Sequence, residues 1–116
     1  MKLSSIRLHN VAVPLVTPFE TSFMRETEKE CYLIEATFDT DAGQVTGWGE
    51  SVAMSAPLYS SEYVEGGIDV TRRWIAPILF DVEDLRAERV AWHLRHIVGH
   101  QMAKSAMEMA VLDAQL

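Results

Sequence analysis

The chain has 116 residues, 48% of them apolar and 23% charged, a length and mixture that exclude a disordered or fibrous protein and suit one domain burying roughly two-thirds of its unfolded surface. A net charge of −7, with only Arg72 and Arg73 adjacent, argues against a nucleic-acid partner, whose phosphates demand clustered cations. The longest apolar run, Val11 to Val16, is interrupted by Pro14 and falls far short of the ~20 residues that span a bilayer, so no membrane partner and a cytoplasmic location are expected.

Residues 2–14 carry Leu3, Ile6, Leu8, Val11 and Val13 among polar neighbours, the pattern of a strand with one slip in register that Pro14 ends. Residues 31–38, "CYLIEATF", form a second β-rich run. Cys31, the single cysteine, lies in it and reads as a buried, inert thiol in a reducing compartment. "DTDAG" supplies turn chemistry and "QVTGWGE" returns as a third strand, making 31–50 a hairpin within a three-stranded antiparallel sheet.

From Tyr59 the apolar period changes from 2 to 3.6. Ser60 or Ser61 can cap a helix, Glu62 suits its first turn, and Tyr63, Gly67, Val70, Trp74 and Ile78 fall on one stripe until Pro77 bends or ends it. Asp84 can cap a second helix with Leu85, Arg89, Trp92 and His96 on one face and Gly99 as its C′ residue. The segment "HQMAKSAMEMAVLDAQL" is helical, with Met102, Ala106, Met109, Ala110 and Asp113 on one face and Ala103, Met107 and Val111 on another. It carries no closing glycine, proline or terminal lysines, which leads one to expect that the chain once continued or that a partner covers the helix. The expected architecture is α+β, one domain over residues 1–116 with a three-stranded antiparallel meander followed by three helices.

Two connecting segments stand out. Thr17 to Glu26, between the first two strands, places Phe19 and Phe23 among small polar residues; the rings either fold back as core plugs or belong to a mobile lid. The second, after "GWGES", holds Met54, Ala56, Pro57, Leu58 and Tyr59 and is either an outlying piece of core or an apolar loop. Two such loops on one small domain would form a joint patch that calls for a partner or ligand.

Conventional catalytic signals are weak. His93, His96 and His100 have helix-like spacing, but Gly99 interrupts them and no carboxylate completes a zinc site. "GWG" lacks the further glycine and the lysine of a phosphate loop, Ser60 and Ser61 have no evident base, and Glu50 has no second group paired with it. The residues by themselves offer no active site.

Four stretches occur in a familiar order and spacing: "VPLVTPFETSF" (13–23), "GWGES" (47–51), "MSAPLYSSEY" (54–63) and "MAKSAMEMAVLDAQL" (102–116). Together they span the chain and resemble the N-terminal capping domain of the enolase superfamily, in the muconate-lactonizing subgroup, nearest to o-succinylbenzoate synthases that also act as N-acylamino acid racemases. The resemblance implies a three-stranded meander and helical bundle seated over the mouth of a (β/α) barrel, where such barrels keep their active sites. It implies that the segments 17–26 and 54–59 close over a small carboxylate substrate, with Phe19, Ser22, Phe23, Met54 and Tyr59 lining or approaching its pocket. It also implies a chemistry of α-proton abstraction with Mg²⁺ stabilising the enediolate.

The barrel lysines and metal-binding acids of that chemistry have no counterpart here, since the lysines are Lys2, Lys29 and Lys104 and none lies in such a motif. The isolated chain is therefore expected to be inactive and to hold no catalytic residue, cofactor or metal, with Mg²⁺ in the barrel of a parent enzyme. Uncovered apolar helix faces lead to the expectation of a homo-oligomer. The rival expectation is a free-standing module that uses the same apolar loops on a protein partner.

Overall fold

A computed structural model describes residues 1–21 and 24–116. Its elements in chain order are β1 (Lys2–Thr21), β2 (Met24–Thr40), β3 (Gly43–Ser51), α1 (Val64–Val70), a π-helical turn (Thr71–Ile75), α2 (Ala76–Phe80), α3 (Ala87–His93) and α4 (Gln101–Gln115). The strands form one antiparallel sheet in the order β1-β2-β3. The expected α+β class, a meander followed by helices, is what the chain adopts.

One sheet face carries the core. Tyr32, Ile34, Ala36 and Phe38 alternate along β2 and are fully buried, and Leu3 joins them from β1. A register shift between Leu3 and Ser5 then keeps Ile6 and Leu8 opposite Ala36 and Ile34, because an extra residue is what returns the side-chain alternation to the same face. The helices close this face with Val64, Ile75, Leu79, Leu85, Val90, Leu94, Met107 and Val111. Burying each large side chain contributes on the order of 2 kcal/mol.

The turn between β2 and β3 follows its chemistry. Thr40 pairs with Gly43, whose φ of 112° suits glycine, and the Thr40 hydroxyl donates to the Gly43 carbonyl while accepting from the Ala42 N–H.

Other expectations are corrected. Pro14 does not end β1: pairing shifts between Pro14 and Phe19 and then resumes as Phe19↔Glu26, Glu20↔Arg25 and Thr21↔Met24. Residues 17–26 are thus mostly strand rather than loop, and β2 begins at Met24 rather than Cys31. β1 is an edge strand, where proline is tolerated. The polar run "RETEKE" hid its strand character because it carries no apolar alternation to read.

The helical stripe is also shifted. Gly67 and Val70 face inward as the stripe requires, but Val64, Thr71, Ile75 and Leu79 join them, whereas Trp74 is 62% exposed. The Ala76 N–H reaches back to the Thr71 carbonyl, five residues away, which widens the turn. Pro77 stands at the start of α2, where a missing N–H costs least, and does not end the segment.

In α3 the inward residues are Ala87 and Val90, followed by Leu94 at its C-terminal end; Trp92 is 48% exposed and lies beneath the guanidinium groups of Arg95, at 3.7 Å, and Arg89, at 4.7 Å. Arg86, not Asp84, is the N-cap residue. The Asp84 carboxylate accepts from the Met1 ammonium at 2.8 Å and from Arg86 Nε at 3.2 Å. Gly99 does not follow α3 directly; with His100 it makes the left-handed step into α4. Among the described residues no helix is long and apolar enough to cross a membrane.

Candidate functional site: the apolar loop and the overhanging hairpin

The last residue pair joining β2 to β3 is Tyr32 with Ser51. Beyond it β1 and β2 run on as a pair, from Val11↔Cys31 to Thr21↔Met24, so a hairpin overhangs the sheet. The chain leaves β3 at this same end and enters the loop that returns at Val64. Both segments singled out in the sequence therefore start from one end of the sheet.

The loop is pinched at its base. Met54 and Tyr63 form an isolated parallel bridge, and the Val64 N–H donates to the Met54 carbonyl at 2.8 Å, which makes the segment between them a closed Ω-type loop. Ser60 shapes its descending limb, accepting from the Glu62 N–H at 3.2 Å. The crown faces outward, with Leu58 55% and Tyr59 64% exposed, while Met54 is half-buried at the neck. For Leu58 and Tyr59 the structure decides against an outlying piece of core.

Glu62 holds the loop to the helices. Its carboxylate accepts from the Met102 N–H at 3.0 and 2.9 Å and from the Ala103 N–H at 3.2 Å. It does not serve the first turn of the following helix, as its sequence position suggested. It caps the N-terminus of α4, where unpaired N–H groups and the helix dipole favour a carboxylate, and His100 supplies no side-chain cap of its own.

Gly47 and Gly49 have a role that "GWG" alone did not reveal. A Cβ at Gly47 would lie 2.0 Å from the Ala110 carbonyl oxygen, and one at Gly49 would lie 1.9 Å from that of Ala106. The two glycines are the seat on which α4 lies against β3. Between them the Trp48 side chain points outward, while its backbone N–H donates to the Asp113 carboxylate at 2.8 Å. On the far sheet face its ring stacks near His9, whose Nε2 pairs with Glu35 at 2.9 Å.

Phe19 lies in the overhang, its backbone opposite Glu26, Met54 at the loop's neck and Tyr59 on its crown. Ser22 and Phe23 lie outside the described residues. Glu62, Gly47 and Gly49 were missed as supports because their partners are distant in the chain; only the two glycines flanking an aromatic hinted at close backbone approach. Among the described residues no three His, Cys, Asp or Glu side chains come together to hold a metal ion, so these residues do not fit Mg²⁺ and no chemical step is assigned to a metal on this chain.

The mandelate racemase / muconate lactonizing enzyme N-terminal domain model matches residues 4–116. An N-succinylamino acid racemase from Amycolatopsis sp. is 49% identical over 116 residues, covering 100% of this chain and 30% of that protein. An o-succinylbenzoate synthase from Geobacillus kaustophilus is 34% identical over 113 residues, covering 97% of this chain and 29% of that protein. A crystal structure of an enolase-superfamily member from Listeria innocua matches with a TM-score of 0.90 at 31% identity, covering 99% of this chain and 30% of that one. This chain spans about 30% of the length of the curated relatives it matches. With a family model that takes in nearly every residue and a fold shared at that TM-score, the chain belongs to the mandelate racemase / muconate lactonizing enzyme N-terminal domain family.

Proposed function

We propose that this domain is the lid and substrate-specificity element of a Mg²⁺-dependent enolase-superfamily enzyme of the o-succinylbenzoate synthase or N-acylamino acid racemase type, which abstracts a proton α to a carboxylate. The observation that carries the proposal is the pinched loop with Leu58 and Tyr59 exposed on its crown, rooted at the same end of the sheet as the hairpin that holds Phe19. Exposed apolar groups on a tethered loop suit a surface that closes over a ligand. Closure excludes water, which strengthens electrostatic interactions around a developing enediolate and shields it from side reactions.

In this proposal Phe19, Ser22, Phe23, Met54 and Tyr59 line or approach the pocket, and a (β/α) barrel of the parent enzyme is the domain's partner. That barrel supplies the acid, the base and the Mg²⁺, so this chain's own residues bind the substrate's apolar part and exclude water. The likeness to racemase and synthase relatives over nearly the whole chain does not favour a free-standing binding module.

The test is steady-state kinetics of the intact parent enzyme with Tyr59→Ala and Phe19→Ala. The expected outcome is a raised KM and a changed preference between N-acylamino acids and the o-succinylbenzoate precursor, with kcat on the best substrate changed less. Unaltered KM values and preference in both variants would remove these residues from the lid.

A further inference from the structure

Beneath the loop's base, three segments meet at a knot of buried hydroxyl groups. Tyr32 comes from β2 at its last pairing with β3, Ser51 is its partner across that pairing, and Thr71 opens the π turn. All three residues are fully buried. Gly67 admits the tyrosine: a Cβ there would lie 2.6 Å from the Tyr32 oxygen.

Ser51 Oγ accepts from the Ala53 N–H at 3.3 Å, whereas Tyr32 Oη and Thr71 Oγ1 have no partner in hydrogen-bonding geometry. Burial pushes the Tyr32 phenol above its ordinary pKa; the neighbouring Ser51 and Thr71 hydroxyls pull it partway back, and the Glu62 charge pushes it up again. The phenol is thus neutral and able to donate. Two unpaired buried hydroxyls side by side are costly, and such groups are almost always paired with protein or with ordered water.

A buried water needs two to four polar partners and a polar, sufficiently roomy site. Tyr32 Oη, Thr71 Oγ1 and Ser51 Oγ supply three. Thr71 also lines a groove of about 400 Å³ with Ile6, Leu8, Ile68, Arg72 and Phe80.

We infer that Tyr32, Thr71 and Ser51 bind one internal water molecule. This water joins the root of the overhanging hairpin, the exit of the apolar loop from β3 and its return into the helical segment. The inference rests on the buried hydroxyls and is independent of the proposed catalytic role.

The test is a crystal structure of the protein that carries this domain, at a resolution that orders internal waters, together with thermal unfolding of Tyr32→Phe, Thr71→Val and the double variant. Expected are one spherical density peak within about 2.6–3.2 Å of both Tyr32 Oη and Thr71 Oγ1, a lowered midpoint in each single variant, and a double variant that loses less than the sum of the two. A direct Tyr32–Thr71 hydrogen bond with no peak between them overturns the inference. So does strict additivity, or a midpoint raised by either single variant, because deleting an unpaired hydroxyl relieves a cost where deleting a water ligand creates one.

Discussion

The seat of α4 on β3 and the crown of the Met54–Tyr63 loop lie close in sequence and obey opposite rules. At the seat, Gly47 and Gly49 bring backbone against the Ala106 and Ala110 carbonyls, and a single added carbon has nowhere to go. At the crown, Leu58 and Tyr59 turn large apolar groups toward solvent, where the domain itself gains little from them. The first region is set by the fold's need for contact, and the second makes sense only with something to cover it. Glu62 joins the two, since it ends the loop and caps the helix that rests on the seat.

Substitutions at the seat should break the fold first. Gly49→Ala places a methyl 1.9 Å from the Ala106 backbone oxygen, and because backbone cannot step aside cheaply, a loss of about 3 kcal/mol or more is expected. Denaturant unfolding of the protein that carries the domain measures it; a loss under 1 kcal/mol would mean that α4 slides freely on β3. Gly47→Ala should behave alike.

The link between the regions comes next. Glu62→Ala removes the cap of α4 and should cost about 1–2 kcal/mol. Glu62→Gln, which keeps an acceptor but loses the charge, should cost less than that. Equal losses in the two variants would show that the charge, and not the hydrogen bonds, does the holding.

At the crown the sign of the comparison reverses. Leu58→Ala and Tyr59→Ala should change stability by less than about 0.5 kcal/mol, even though Tyr59→Ala is expected to alter substrate preference in the parent enzyme. A crown variant that unfolds the domain as severely as a seat variant would erase the distinction drawn between the two regions.

The smallest effect is expected at the exposed Asp84. The Met1 ammonium, and then Arg86, hold its carboxyl below the usual range. A carboxylate with a lowered folded pKa stabilises the fold above the ordinary carboxylate range and loses that contribution as pH falls through its lowered value. Solvent screening keeps the effect slight. Unfolding midpoints of Asp84→Asn and the unaltered protein should therefore converge as pH drops through that range; a constant gap would show that the ion pairs do not contribute.

Much of the fold was legible in local pattern. Alternation in "CYLIEATF", turn chemistry around Gly43 and the alanine-rich run after Gln101 each specify an element by its own periodicity. The apolar composition of Met54–Tyr59 already marked that loop as unusual, and the four ordered motifs pointed to the family. Periodicity names an element but fixes its phase poorly. Val70 is buried as expected, but across the π turn at Thr71–Ile75 the buried stripe continues through Thr71, Ile75 and Leu79 and leaves Trp74 outside.

What only the tertiary structure decided are the relations between distant residues. Glu62 caps a helix that starts some forty residues later, and nothing near it in the chain signals that choice. The overhanging strands around Pro14 and "RETEKE" hold each other through backbone pairing, which apolar patterning does not record. The sequence by itself determined the three-stranded meander, the helical second half and the family, because these rest on short-range pattern and ordered motifs. The helix phase, the glycine seat and the cap depended on which surfaces meet, and that is settled only when the whole chain packs.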